Sequence, residues 1–567
     1  MSSSGPLTAT VAISGPFGRF RFGVWSLAAV LIALLVSTPV LVVAASVFSP
    51  AGEVWRHLAD TVLAIYVANS LWLMLGVGAG TFAIGVSTAW LVTMCRFPGR
   101  SAFEWALLLP FAVPAYVVAF TYGGLFEFAG PLQSALREAT GWGRGDYWFP
   151  EVRSLGGAVV VLTVVLYPYV YLLARAAFLE QSICVIEISR TLGRGPWYSF
   201  RAVALPLARP AIIAGVALAL MEALSDFGAV QQLAVETFTT GIFRTWFGLG
   251  DASAAAQLSA VLMIFVLALV LVERGSRGRR RYHHTSRRYR ALPRFRLGGA
   301  KAVCAVLACI LPIFFGFLLP GAQLLAWSFQ TAASVVDAQF IVLAANSMGL
   351  AGVAALLAVA VAVVLAYGQR LHPGPLTALS ARVASLGYAV PGSVLAVGVL
   401  LPFAWIDNTL DVWMRASFGV STGLLLSGTL VALLFAYLVR FLAISFNTVE
   451  ASLGKVTPTM DGAARTLGLG PSATLARVHL PIISGSLMTA AILVFVDVMK
   501  ELPATLIMRP FNFNTLAVRA FELASDEQLA EAAPAALTIV AVGIVPVIVL
   551  TRAIARSRPG QRAAESG

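Results

Sequence analysis

Twelve apolar stretches, each long enough to cross a bilayer, constrain this 567-residue chain more than any other feature. They lie at about 24–48, 62–93, 104–128, 155–178, 208–232, 255–273, 302–328, 340–367, 381–405, 418–445, 484–508 and 533–553, against a requirement of roughly 20 apolar residues for a spanning helix. Hydrocarbon offers no water to backbone groups, so only helices and closed barrels span. Barrel strands run to about ten residues of alternating polarity, and the sequence has no such pattern. Charged residues make up 11% of the chain, less than half the roughly 25% of soluble proteins. The expected fold is an all-α polytopic membrane protein of about 12 transmembrane helices. The first run exceeds a signal-peptide core and no A-x-A-type site follows it, so it is expected to stay as span 1.

The net charge of +13 is placed by topology. Arg19, Arg21, Arg96, Arg100, Arg190, Arg194 and Arg201 fall on one side of a twelve-span model. So do the cluster from Arg277 to Arg296, then Arg370, Arg382, Arg440, Lys455, Arg465 and Arg477, and the terminal Arg552 to Arg562. The opposite loops hold fewer, among them Arg137, Arg144 and Arg153. This is the positive-inside pattern, with both termini cytoplasmic. The expected partner of this charge is the lipid bilayer and not nucleic acid. Cys95, Cys184, Cys304 and Cys309 have no ligand spacing with the five scattered histidines, so no metal is assigned.

The chain repeats itself. Arg190-Thr191-Leu192-Gly193, with Pro206 thirteen positions on, returns as Arg465-Thr466-Leu467-Gly468 with Pro481, at a constant offset of 275 residues. Asn69 answers Asn346, and Val113-Pro114 answers Val390-Pro391. The run FTTGIFR from Phe238 answers FNTLAVR from Phe513. The expected domains are a first half, 1–273, a basic cytoplasmic linker, 274–298, and a second half, 299–567. Six spans per half keep the copies in the same orientation, so the repeat is parallel and not inverted.

The repeated loops span about 179–208 and 454–483. Residues 181–192 and 456–467 read as short amphipathic helices, and Gly193 and Gly468 as their left-handed stops. Pro196 and Pro471 suit the first turn of a second short helix. The E-A-A, three residues, G pattern followed by an apolar residue and L-P resembles the signature loop of permease subunits of binding-protein-dependent ABC importers. It is carried by Glu187, Gly193, Leu205 and Pro206 in the first copy. In the second it is carried by Ala463, Ala464, Gly468, Leu480 and Pro481. Ile188 and Ser189 depart from the first pattern; Gly462 replaces the acid in the second, although Asp461 is adjacent. The resemblance implies a type I importer permease, with Glu187, Arg190, Gly193, Pro206, Ala463, Ala464, Arg465, Gly468 and Pro481 seated on ATPase subunits. It also implies a solute-binding protein and a bacterial cytoplasmic (inner) membrane location.

No phosphate-binding G-x-x-x-x-G-K-[ST] loop is present. ATP and magnesium are therefore expected on separate ATPase subunits, two in number, and no cofactor on this chain. Glu222 and Asp226 in span 5 are answered by Asp497 and Glu501 in span 11, with Lys500 beside them. Four-residue spacing predicts that each acidic pair shares one helix face. An ionisable group in mid-span costs roughly 2.5–3.5 kcal/mol by insertion scales, which marks these five as a translocation path, a gate or a structural ion-pair cluster. The stretches MEALSDFG from Met221 and TFTTGIFR from Thr237, with their counterparts, resemble the fused permeases of ferric-iron importers. Thiamine permeases are the nearest alternative. A twelve-span secondary transporter using Glu222 and Asp497 is a third reading, and the repeated loop argues against it.

Overall fold

The computed structural model describes residues 24–50, 52–143, 145–180, 196–277 and 294–556. Eleven helices among them are long and apolar enough to cross a membrane, and one bent pair supplies a twelfth. Spans 1 to 6 are Val24–Phe48, Leu63–Met94, the pair Arg100–Ala112 and Ala115–Thr140 bent by 87°, Leu155–Leu179, Ser199–Ser225 and Ala252–Gly275. Spans 7 to 12 are Ala300–Val335, Ala338–Leu371, Gly392–Phe418, Leu430–Leu453, Pro471–Lys500 and Leu529–Val549.

Four spans are displaced by roughly ten residues from their expected positions, each for a local reason. Span 9 begins at Gly392 because Val390 and Pro391 are extended (ψ 126° and 143°). Val113 and Pro114 take the same conformation and break span 3. A residue before proline is pushed out of the helical region, so the repeated Val-Pro pair is a repeated break. Span 10 begins at Leu430 because residues 421–429 form a loop. The buried carboxylate of Asp407 holds that loop, accepting from the Leu426 and Ser427 amides and the Ser427 hydroxyl. Spans 5 and 11 start earlier than expected, and each begins with or soon enters a π-helical turn, Ser199–Ala204 and Leu475–His479, the two turns ending 275 residues apart.

Each half lends its first span to the other. Span 1 packs on spans 8 and 9 of the second half. A Cβ on Gly398 would lie 2.5 Å from the Pro39 carbonyl oxygen. Span 7 reaches back to the first half. A Cβ on Gly316 would lie 2.5 Å from the Val164 carbonyl oxygen, and Tyr122 donates to the Phe315 carbonyl. Between membrane helices, association rests on close packing and hydrogen bonds rather than on hydrophobic exclusion, so these contacts bind the halves together. A short parallel pairing of Cys95–Arg96 with Phe295–Arg296 ties the end of the linker to the first half.

Candidate functional site

Spans 5 and 11 end at carboxylates. Leu205–Ser225 stops where Asp226 turns extended (ψ 129°), and Leu480–Lys500 stops where Glu501 does the same (ψ 127°). Each acid caps the short helix that follows. Asp226 Oδ1 accepts from the Ala229 amide at 2.7 Å. Glu501 accepts from the Ala504 and Thr505 amides at 2.9 and 3.0 Å and from the Thr505 hydroxyl at 2.6 Å. A carboxylate at a helix N-terminus satisfies amides that have no partner within the helix. Glu222 and Asp226, and Asp497 and Glu501, line one cavity as the four-residue spacing predicts, but the second acid of each pair also ends its helix.

The short helices Gly228–Gln232 and Pro503–Met508 lead into loops held by the repeated asparagines. Asn69 donates to the Glu236 carbonyl at 2.9 Å, and Asn346 to the Asn514 carbonyl at 3.4 Å. The two asparagines therefore position the segments that follow spans 5 and 11.

The four acids and Lys500 line one cavity of about 140 Å³ between the halves. Arg440 lines it too. It was expected at the cytoplasmic end of span 10 and instead lies near the middle of Leu430–Leu453. Its guanidinium sits 3.6 Å from Glu501 and 4.0 Å from Glu222, so it bridges the halves. Lys500 pairs with Asp497 at 3.4 Å and reaches across to the Phe111 carbonyl at 3.3 Å. Tyr388 donates to Glu222 at 3.1 Å, and its hydroxyl lies 3.4 Å from that of Tyr169. Four acids against two cations leave two formal negative charges in the cavity. Buried charges are tolerated only when paired and hydrogen-bonded, and every pairing here except Lys500–Asp497 and Arg440–Glu501 crosses the boundary between halves.

Sequence reasoning missed Arg440, Tyr169 and Tyr388. An arginine near the centre of an apolar run was a usable signal, had the run been given its true bounds. The tyrosines carried none, since phenols are common in apolar helices.

In the second repeated loop the helix Pro458–Thr466 is followed by Gly468 at φ +79°. The Leu469 amide returns to the Ala464 carbonyl at 3.0 Å, the helix-stop geometry in which a left-handed residue favours glycine. Pro471 opens the next helix, which runs on without interruption into span 11. Ala463, Arg465, Gly468 and Pro481 are exposed, Ala464 is buried, and Leu467 is 80% exposed. Asp461 turns inward: it accepts from Arg370 at 2.9 Å and stands 2.6 Å from His479 Nε2. In the first loop Glu187, Arg190 and Gly193 lie outside the described residues; Pro206 is exposed at the start of Leu205–Ser225.

Twelve candidate spans around a charged cavity at the junction of two halves define a polytopic transport permease. Residues 81–281 match the binding-protein-dependent transport system inner membrane component family. The chain is 28% identical over 498 residues to the Fe(3+)-transport system permease protein FbpB 2 of Haemophilus influenzae, covering 86% of this chain and 90% of that one. It is 23% identical to the probable ABC transporter permease protein y4fN of Sinorhizobium fredii, covering 79% of this chain and 80% of the relative. The molybdenum transport system permease protein ModB of Escherichia coli is 28% identical over 196 residues, covering 33% of this chain and 82% of ModB.

Proposed function

We propose that this chain is the membrane permease of an ATP-driven importer of ferric iron. A solute-binding protein delivers the ion on the outer face. Two separate ATPase subunits, holding ATP and Mg²⁺, dock on the loops at 179–208 and 454–483. Both termini and the basic linker lie on the cytoplasmic side with those loops. The cavity acids, Arg440 and Lys500 form the gate, because their ion pairs join the halves that must part for an ion to pass.

The observation that carries the substrate reading is the charge of the cavity. Two net negative charges at the junction of the halves favour a cation and repel an oxyanion. The likeness to an iron permease runs through both halves, whereas the molybdenum permease matches a third of the chain. The docking reading is supported by the exposed face of Ala463, Arg465, Leu467 and Gly468 around a rigid turn.

Uptake of radioactive ferric iron in a deletion strain, with and without this chain, tests the function. Restored uptake that fails in Glu222→Gln, Asp497→Asn is expected. Unchanged iron uptake alongside restored thiamine uptake overturns the iron reading. Co-purification of ATPase subunits with the Gly193→Asp, Gly468→Asp variant tests the docking. Retained ATPase binding and transport in that variant would falsify it.

A further inference from the structure

The cavity holds more hard oxygen donors than its ion pairs use. Tyr388 and Tyr169 place two phenol oxygens 3.4 Å apart, and Glu222 adds a carboxylate oxygen 3.1 Å from Tyr388. Asp497, the repeat counterpart of Glu222, lines the same cavity from the other half. The phenols are not a product of the duplication. Phe111 stands in the first half where the second has Tyr388, and Ile444 in the second where the first has Tyr169. A third phenol, Tyr116, lines the cavity at 4% exposure, and its hydroxyl has no hydrogen-bond partner.

We propose that Tyr169, Glu222, Tyr388 and Asp497, two from each half, form a four-oxygen site that takes the ferric ion as it crosses. This rests on the iron reading above. Carboxylate oxygens suit hard cations, and a small ion bound at about 2.0–2.1 Å sets neighbouring ligand oxygens roughly 2.9 Å apart in an octahedron. The present separations of 3.1 and 3.4 Å need to close by only a few tenths of an ångström.

The ion pairs permit this exchange. When the ion takes Glu222, Arg440 keeps Glu501 at 3.6 Å. When it takes Asp497, Lys500 keeps the Phe111 carbonyl at 3.3 Å. Arg440 keeps a carboxylate, and Lys500 keeps a carbonyl acceptor and the Phe111 ring face at 5.2 Å, so neither is left without a partner, the costly outcome for a buried charge. On binding, each phenol O–H loses its proton to water and its oxygen bonds the metal. Two protons leave, the ion stays ferric, and four ligand charges face three on the metal. On release the phenolates take protons back. A bound cation inverts the ordinary preference of a buried phenol for its neutral form.

The test uses the full chain, purified with its ATPase subunits, and ferric nitrilotriacetate as probe. Ferric phenolate absorbs in the visible by ligand-to-metal charge transfer. The expected result is a visible band that Ga³⁺ does not produce. The band should weaken in Tyr169→Phe or Tyr388→Phe and vanish in the double variant, with iron uptake falling at least tenfold. Phenylalanine retains the ring, and circular dichroism checks the fold. Absence of the band in wild type, or an unchanged band in the double variant, overturns the site while leaving iron transport intact. Failure of wild type to take up iron overturns the importer reading instead, whatever the spectrum shows.

Discussion

The two corners that carry the repeated loops are fastened to the membrane helices by different chemistry. In the second half a polar network joins four elements. Arg370 at the end of span 8 donates to the Leu453 and Val456 carbonyls at 2.6 and 2.8 Å and to Asp461 of the loop helix. Asp461 in turn meets His479 at the foot of span 11, and Tyr367 donates to the Pro471 carbonyl at 2.7 Å. In the first half Trp90 packs on Phe178 and Phe200 at centroid distances of 5.6 and 5.0 Å, with Phe295 of the linker beside it. At the offset of 275, His479 becomes Ala204 and Asp461 becomes Ile186. The second corner reaches its loop through charge and hydrogen bonds; the first meets the foot of span 5 through aromatic contact, and its ion pair, Arg175–Glu104, joins spans 3 and 4 instead. A repeated loop sequence is therefore compatible with two different fastenings to the membrane helices.

Thermal unfolding of single variants tests the contrast, and the largest effect is expected in the aromatic corner. Trp90→Ala should cost about 3–5 kcal/mol, as for large aromatic truncations in cores, and the loss should not depend on pH. A shift with pH would break the comparison. Asp461→Ala should cost about 1.5–3 kcal/mol, the range for hydrogen bonds to charged groups. An unaltered melting temperature would show that the network fastens nothing.

The pH response separates the corners further. Partial burial pushes the Asp461 carboxyl up, but hydrogen bonds from Arg370 and His479 and the charge of Arg370 outweigh it and hold the carboxyl below its ordinary value. A carboxyl depressed in the folded state stabilises at pH above its unfolded value of about 3.9. That contribution is lost as pH falls through the folded value. Wild type should accordingly lose part of its stability below about pH 4, and Asp461→Asn should lose less over that window. Equal acid sensitivity in the two would remove Asp461 as the source. The smallest effect belongs to Gly468→Ala. A side chain at φ +79° is strained by about 1 kcal/mol, and nothing lies within 4 Å to add a clash. Its measurable consequence is a slightly lower melting temperature with unchanged packing elsewhere.

Most of the fold was legible because it depends on sums over neighbouring residues. Insertion of a helix adds up the transfer of about 20 side chains, so twelve apolar runs announce twelve spans. The Gly468 stop and the Val-Pro breaks are equally local, since each reflects the conformations open to one or two residues. The site was legible in part. Glu222, Asp226, Asp497, Lys500 and Glu501 stood out as charges among apolar residues, and the structure brings all five to one cavity. Their arrangement was not legible. Asp226 and Glu501 were read as continuing a helix because four-residue spacing says so only while the helix lasts.

By itself the sequence determined that this chain is built of membrane-spanning helices, that it repeats itself at an offset of 275 residues, and where its repeated loops fall. Only the tertiary structure decided that span 1 embraces the second half, that Arg440 faces Glu222 and Glu501, and that Asp461 turns to Arg370. The physical reason is range. Hydropathy and backbone preference act within one turn or one span, whereas these contacts depend on which helices, hundreds of residues apart, come to share a face.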